Sequence, residues 1–358
     1  MLSKVLHLVP ASPFGGAQRL AMELCFEQRN MGLNASICFL NNGDDALLFA
    51  KHLNLPILQL GAGVNRPIKL LKIASKFPIL HLHMPPAWAA LAIPKSSVVV
   101  THLHARPVRQ SHRMTVQRRI DQLGEVSLLS RSNIAIAISD WVQSSWRQEY
   151  PQQSSKTVVV PNGIMIPKKV QKNHSRPFTV SVTCRLAKNK GIEEFLNLAK
   201  AIYELDAEIR FLIAGDGPEK ETYKSLAKEL GLGETVNFIG FVNDTASIWS
   251  ESDISAFTSP FEPFGLRLIE PIAHGVPVAA YLNGTGSDEI IHNCRGILTA
   301  EMNDASALAH EVIALKYCPT RKMELAEISL EDVMEKYSLP VFSERIAKVY
   351  KHAISEAG

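Results

Sequence analysis

The sequence has no C-x-x-C pair, and its five cysteines (Cys25, Cys38, Cys184, Cys294, Cys318) are scattered and odd in number. That excludes a disulfide framework and a cysteine zinc site, and reads as core thiols of a reducing compartment. No run reaches the roughly 18 apolar residues of a membrane helix. The opening MLSKVLHLVP is too short an apolar run for a signal peptide and reads as a first strand. The turn after it, Pro13-FGGAQRLAMEL, is not the G-x-G-x-x-G of dinucleotide enzymes, which argues against a dehydrogenase. There is no repeat of short period and no low-complexity tract.

What is present suits a well-buried α/β chain. At 358 residues, two domains of ordinary size are expected. Apolar residues make up 46% and charged residues only 20%, which excludes a disordered chain. The net charge of +3 hides an asymmetry: residues 1–175 carry +12 and residues 176–358 carry −9. The basic half should favour an anionic surface or ligand.

Short apolar, β-branched runs recur at Lys4–Val9, Ala35–Leu40, Ile79–His83, Val98–His104, Asn133–Ser139 and Thr157–Pro161. Stretches of helical spacing, such as Ala17–Asn30 and Ile68–Ser75, lie between them. After the lysine-rich, proline-flanked Pro167–Pro177, a plausible linker, the pattern restarts. It runs through Thr179–Cys184, Ile209–Ala214, Val236–Phe241, Ile254–Ser259, Val276–Tyr281 and Gly296–Leu298. Continuous apolar strands alternating with helices predict parallel sheets covered on both faces. The reading is two doubly wound, Rossmann-like domains facing a cleft, with ligands at the C-terminal strand ends.

The stretch Ser259–Ala279 holds the densest chemistry. Glu262 and Glu270 stand eight residues apart, one at a turn containing Phe264 and Gly265, the other inside a short helix. Unpartnered N–H groups at a helix start hold phosphate, and the flanking carboxylates can accept hydrogen bonds from hydroxyls on either side. Hydroxyls, phosphate and hydroxyls in sequence describe a nucleotide-sugar. Arg185 and Lys190, just beyond a strand, can neutralise a diphosphate leaving group; basic loop residues are otherwise solvated. Gly15 and Gly16 allow close backbone approach at a helix start, or form an ordinary βα turn. Ala214-GDG-Pro218 and Val160-PNG-Ile164 read mainly as turns. His81/His83 and His102/His104 each place both members on one strand face. A four-histidine metal site is conceivable, but no acid accompanies them, and polar strand tips lining a cleft are the better reading. Arg106, Arg109, Arg113, Arg118 and Arg119 form a basic segment with no acid before Asp121. It is either a solvated face or a contact for anionic lipid or a phosphorylated acceptor, and it lacks the aromatic interleaving of single-strand nucleic-acid binders.

In order and spacing, these pieces resemble the retaining glycosyltransferases of family 4, of GT-B architecture. The resemblance runs over nearly the whole chain: Gly15–Ala17, Ile138-SDWV, Val158–Ile164, Cys184–Gly191, Ala214–Pro218 and Phe261–Val278. It implies an N-terminal acceptor domain over 1–168, a nucleotide-sugar domain over 177–335, and a C-terminal helix within 336–358 crossing back to the first domain. It implies that Glu262 holds donor-sugar hydroxyls and Glu270 the ribose. Arg185 and Lys190 would bind the diphosphate, with Phe264 and Gly265 as backbone donors. Gly16 would approach the donor phosphate or the acceptor. His104 matches the family's cleft histidine, with His102 as a rival. Cys184 replaces a usual Gly, and Pro271 follows the second Glu where Ala is common.

The implied activity is retaining, metal-independent transfer of a hexose-type sugar from a UDP- or GDP-sugar to a glycan or lipid-linked acceptor. The implied setting is bacterial polysaccharide or lipopolysaccharide synthesis. No cofactor is expected and no Asp-x-Asp occurs. No nucleic-acid partner is expected. The location expected is cytoplasmic, with contact at the inner face of the plasma membrane. A GT-B nucleotide-sugar 2-epimerase and an inactive, membrane-associated binding protein are the alternatives.

Overall fold

The computed structural model describes residues 4–108, 116–167, 176–242 and 244–357. The chain folds into two compact units. One is Met1–Gly163 with Tyr337–Gly358, the other Ile164–Lys336. The lysine-rich stretch expected as a linker falls mostly on 168–175, outside the described residues.

The first unit is built on a seven-stranded sheet: β1 (Val5–Val9), β2 (Ala35–Phe39), β3 (Ile57–Gln59), β4 (Ile79–His83), β5 (Val98–Leu103), β6 (Ile134–Ala137) and β7 (Thr157–Val159). Its order is β3-β2-β1-β4-β5-β6-β7, and all pairings are parallel. The second unit holds a six-stranded sheet: β8 (Thr179–Thr183), β9 (Arg210–Ala214), β10 (Val236–Gly240), β11 (Ile254–Phe257), β12 (Val278–Leu282) and β13 (Leu298–Glu301). It runs β10-β9-β8-β11-β12-β13, again all parallel. Both units are doubly wound α/β layers, so the central strands are buried on both faces. β1, β2 and β4 are buried at every position.

The interior strand β12 starts two residues later than expected, at Val278, and the other deviations from the sequence reading sit at sheet edges. β3 has three residues, partly exposed and led by Pro56, too short to stand out as an apolar run. β13 starts two residues later than expected, because an edge strand alternates buried and exposed positions (Leu298, Thr299, Ala300, Glu301) instead of running apolar. Four cysteines are buried as expected, but Cys318 is exposed at a helix end and is not a core thiol.

The C-terminal helix Leu339–Ala357 completes the first unit's core. Leu339, Phe342, Ile346, Tyr350 and Ala353 recur every three or four positions and are all buried. That stripe packs in one cluster with Val5, Val100, Ile136 and Val160. Each large side chain so buried contributes about 1.5–3 kcal/mol.

Candidate functional site

In the second unit, β8 and β11 are neighbours, yet the chain leaves β8 toward β9 and β11 toward β12, on opposite sides. Loops at such a switch point diverge and leave a crevice beyond the strand ends. One loop runs from Cys184 to Gly191, the other from Thr258 to Gly265.

The first loop rests on the Ala214–Pro218 turn. Cys184 N–H donates to Ala214 C=O at 3.0 Å, and Leu186 N–H to Asp216 C=O at 3.0 Å. A Cβ on Gly215 would collide with the Cys184 carbonyl, so only glycine lets the two backbones pass this closely. The turn reading of this stretch therefore has a purpose: it supports the loop that carries Arg185 and Lys190. Arg185 is exposed and makes no ion pair with a described residue. Lys190 leans inward, its Nζ 4.0 Å from Glu262 Oε2.

The second loop carries Glu262. Thr285 Oγ1 accepts from Glu262 N–H at 3.1 Å and donates to its C=O at 2.9 Å, and Ser287 N–H adds a bond of 3.1 Å to that carbonyl. Arg267 Nη2 donates to Glu262 Oε2 at 2.9 Å, and the Arg267 guanidinium lies 5.7 Å over the Phe257 ring. Burial pushes the Cys184 thiol up, and the nearby Arg267 and Lys190 charges oppose that rise. The loop ends at Gly265, with φ +113, the left-handed residue that caps the helix Leu266–Ala273. Phe264, beside it, is buried. Leu268 and Ile269 N–H groups bond to Gly265 C=O, so those of Leu266 and Arg267 lie ahead of the intrahelical ladder, where an anion can be met.

Glu270 lies on that helix, half-buried, and accepts from Thr245 Oγ1 at 2.7 Å. Pro271 follows inside the helix and is buried. Lacking an N–H, it cannot bond to the Arg267 carbonyl, yet helical backbone continues to Ala273. Glu262, Lys190, Phe264 and Gly265 thus come together around one helix start. Arg267, Thr245 and Thr285 join the expected residues. Arg267 stood within the motif itself, five residues after Glu262, and a second cation beside a carboxylate was a signal available to the sequence. Thr245 has no such signal, being 25 residues from its partner.

In the first unit the switch point lies between β1 and β4. Gly15 and Gly16, both exposed, start the helix Gly16–Asn30 beyond β1. Met84, directly after β4, has φ +48, an uncommon conformation for a long side chain. The histidines correct the sequence reading. His81, His83 and His102 do not line an open edge: they are fully enclosed, with His7 from β1, on the face covered by Phe342 and Tyr350 of the C-terminal helix. Only His104 keeps a partly open face. Burial lowers His7 and His104 to about 4, and drives His81, His83 and His102 well below the usual imidazole value. On the opposite face of β5, Thr101, Leu103, Met84, Glu125 and Trp146 line a cavity of about 230 Å³. Burial raises the Glu125 carboxyl there, although Tyr150 O–H donates to it at 2.9 Å.

Of the arginine segment, Arg106 and Arg119 are exposed. Arg109, Arg113 and the Arg118 side chain lie outside the described residues. Among those residues, no helix is long and apolar enough to cross a membrane.

Comparison with known proteins adds a family to this geometry. Residues 14–166 match the family model described as Glycosyltransferase Family 4, and residues 165–330 match Glycosyl transferases group 1. An uncharacterized glycosyltransferase of Haemophilus influenzae is 21% identical over 237 residues, covering 65% of this chain and 67% of its own. The N-acetyl-alpha-D-glucosaminyl L-malate synthase of Bacillus anthracis is 33% identical over 153 residues, 43% of this chain and 38% of that protein. The match thus spans well under half of the second relative's length. The crystal structure of Anabaena HepE, in complex with UDP and glucose, superposes with a TM-score of 0.82 at 19% identity, over 98% of this chain and 100% of that one. With a glycosyltransferase family model on each half and two doubly wound units beneath them, the chain belongs to the GT-B glycosyltransferases of family 4 and group 1.

Proposed function

We propose that the chain transfers a hexose-type sugar from a UDP-sugar to a glycan or lipid-linked acceptor, retaining the anomeric configuration and needing no metal. The observation that carries this reading is the cluster of Glu262, Arg267 and Lys190 around the Gly265 helix start. A leaving diphosphate there would meet two cations and the N–H groups of Leu266 and Arg267. Those groups stabilise charge as it develops on the departing oxygen. Glu262 accepts from donor-sugar hydroxyls, Glu270 from the ribose, and Arg185 closes on the diphosphate from the opposite loop. His104 contacts the donor sugar.

Glu262, the carboxylate of the cluster, is held by Arg267 and Lys190 and serves to bind hydroxyls, so attack comes from the leaving-group face. The acceptor oxygen forms its bond to the anomeric carbon as the carbon–phosphate oxygen bond breaks, and that phosphate oxygen takes the acceptor's proton. Bond made and bond broken lie on one face, so configuration is retained.

UDP as the donor nucleotide draws support from the ligand of HepE. For the acceptor, support comes from the first unit's surface. Val64 (94% exposed) and Ile68 (70% exposed) stand among Arg66, Lys69 and Lys72 around the helix Arg66–Ala74. Apolar side chains ringed by lysine and arginine suit an anionic bilayer surface. On this reading the enzyme is a peripheral protein on the cytoplasmic face of the plasma membrane, working on surface polysaccharide or lipopolysaccharide.

A thermal-shift panel of UDP-, GDP- and ADP-sugars tests the donor, because a ligand that binds the folded state raises its melting temperature. A UDP-sugar should give the largest shift. No shift with any nucleotide-sugar would remove the reading. An α-configured product from an α-configured donor, followed by proton NMR, tests retention.

A further inference from the structure

Five histidines of the first unit, His7, His81, His83, His102 and His104, form two rows. In one, His7 Nδ1 lies 3.0 Å from His83 Nε2, and His83 Nδ1 lies 3.2 Å from His104 Nε2. In the other, His81 Nε2 lies 3.2 Å from His102 Nδ1. The rows stack face to face, His81 on His83 at 4.3 Å and His102 on His104 at 4.4 Å between ring centroids. Two side chains join the rows. Gln28 Oε1 is 2.9 Å from His7 Nε2, Gln28 Nε2 is 3.1 Å from Tyr350 Oη, and Tyr350 Oη is 2.6 Å from His81 Nδ1.

Nitrogens of His7, His81 and His83, and of His83, His102 and His104, fall within 4.8 Å of one another, which suggests a metal cage. Ring geometry points elsewhere. The ring centroids of the three bonded pairs are 5.3, 5.5 and 5.3 Å apart, with planes 26°, 21° and 8° from parallel. Each N···N line therefore runs close to the line of ring centres, and each nitrogen is aimed at its neighbour. Two imidazoles on one zinc, at about 2.0–2.1 Å, converge at an angle instead.

In this chain of seven side chains, each internal nitrogen and the Gln28 amide oxygen has one partner and Tyr350 Oη has two, so the proton positions are coupled. With Oε1 of Gln28 facing His7, His7 carries its proton on Nε2 and accepts from His83 Nε2–H, which in turn leaves His83 Nδ1 to accept from His104 Nε2–H. On the other side Gln28 donates to Tyr350, Tyr350 O–H donates to His81 Nδ1, and His81 Nε2–H donates to His102 Nδ1. Turning the Gln28 amide over reverses every bond and moves all five protons to Nδ1. The 2.6 Å contact distinguishes the two. It suits an O–H donor, whereas an N–H donor to oxygen sits at about 2.9–3.0 Å.

We propose that all five histidines are neutral Nε2–H tautomers, locked in one direction by Gln28 and Tyr350, so that His104 presents Nδ1 as a hydrogen-bond acceptor at the strand end. Gln28, Tyr350 and His83 are then positioning residues. The functional half rests on the proposed contact of His104 with a donor-sugar hydroxyl: a lone pair accepts from that hydroxyl, while an N–H would have to donate to it. The far end of the chain is His102 Nε2–H, buried and without a hydrogen-bond partner among the described residues. Burial supports the neutral state throughout.

Multiple-bond proton–nitrogen NMR on the whole chain labelled with ¹⁵N-histidine, without substrate at pH 7.5, reads each tautomer. Five neutral rings protonated on Nε2 are expected; any of them protonated on Nδ1, or doubly protonated, overturns the proposal. Gln28→Glu gives a second reading. A carboxylate accepts from both neighbours, so His7, His83 and His104 keep Nε2–H while His81 and His102 switch to Nδ1–H. No switch at His81 and His102 overturns the coupling; if this variant does not fold, the wild-type spectrum decides alone. His83→Phe keeps the ring volume and frees the His104 tautomer, and should lower kcat about tenfold with little change in donor KM. Unchanged kcat beside the expected spectrum overturns the functional half and leaves the tautomer lock standing. Donor binding in the thermal-shift panel reports on the proposed function separately.

Discussion

Arg267 Nη2 donates to Glu262 Oε2 at 2.9 Å, and Lys190 Nζ stands 4.0 Å from that same oxygen. One carboxylate oxygen thus faces a cation from a loop and a cation from a helix start at the switch point of the second sheet. The pair is largely shielded from solvent, so its members should act as a unit. Arg267→Ala should lower kcat/KM for a UDP-sugar about 10–100-fold, a loss of about 1.4–2.8 kcal/mol. Glu262→Ala should do the same or more. A double-mutant cycle checks the link: the two losses should fall short of additivity by about 0.5–3 kcal/mol. Full additivity would mean that the ion pair is incidental to transfer.

The buried histidines make the first unit acid-sensitive. The unfolded chain takes up protons on these rings as pH falls through about 6.5. The folded chain does not until about 4 for His7 and His104, and until well below the usual imidazole value for the others. The unfolded state then binds more protons, so stability is level above the unfolded value and falls as pH drops below it. The loss approaches about 1.4 kcal/mol per pH unit for each such histidine. Glu125 acts in the opposite sense, since burial raises its carboxyl, but it is one group against five. Urea midpoints followed by far-UV circular dichroism should fall steeply between pH 6.5 and 4.5, and a flat profile would contradict the buried cluster.

The two parallel sheets were legible because a doubly wound fold buries its central strands on both faces, and their largely apolar runs stand out. β3 and β13 were less so, since edge strands mix exposed with buried positions. Within the site, the motif from Phe261 to Val278 showed Glu262 and Glu270 because one local stretch builds a whole loop and helix start. Thr245 and Thr285 reach their partners only through the fold. The histidine pairs were visible as pairs, but their burial depends on a helix more than 230 residues further along the chain. His7, an imidazole in the otherwise apolar VLHLV, was the overlooked hint that this face hides a polar layer.

Gly215→Ala should damage donor binding without touching a donor-binding side chain. Gly215 has φ +146, and an added Cβ would strike the Cys184 carbonyl, so the loop bearing Arg185 and Lys190 must shift. A destabilisation of about 1–3 kcal/mol is expected for forcing an alanine into that conformation, together with loss of the UDP-sugar thermal shift. Gly233→Ala is the control, because its nearest atom beyond the chain neighbours is Lys228 Cγ at 3.4 Å. Equal effects at both positions would remove the loop-support role.

Membrane contact through the helix Arg66–Ala74 has its own test. Replacing Val64 and Ile68 with glutamate removes two exposed apolar side chains and reverses local charge, with no core residue altered. Flotation with vesicles rich in phosphatidylglycerol should fall sharply, while UDP-sugar binding in solution stays intact. Equal flotation of variant and wild type would point to a different surface.

Thr245→Val separates nucleotide binding from chemistry. Thr245 Oγ1 donates to Glu270 Oε1 at 2.7 Å, which holds the carboxylate still where it would accept from a ribose hydroxyl. Valine keeps the shape and removes the donor, so Glu270 gains rotamer freedom with no cavity left behind. A lost hydrogen bond of about 1 kcal/mol corresponds to roughly a fivefold change in affinity. Because the ribose is bound equally in the ground state and the transition state, the whole effect should appear in the donor KM, with kcat unchanged. Glu270→Gln, which keeps an acceptor but loses the charge, should raise KM further in the same way. A fall in kcat from Thr245→Val would instead place Glu270 in contact with the group being transferred, and the division of labour between Glu262 and Glu270 would have to be reversed.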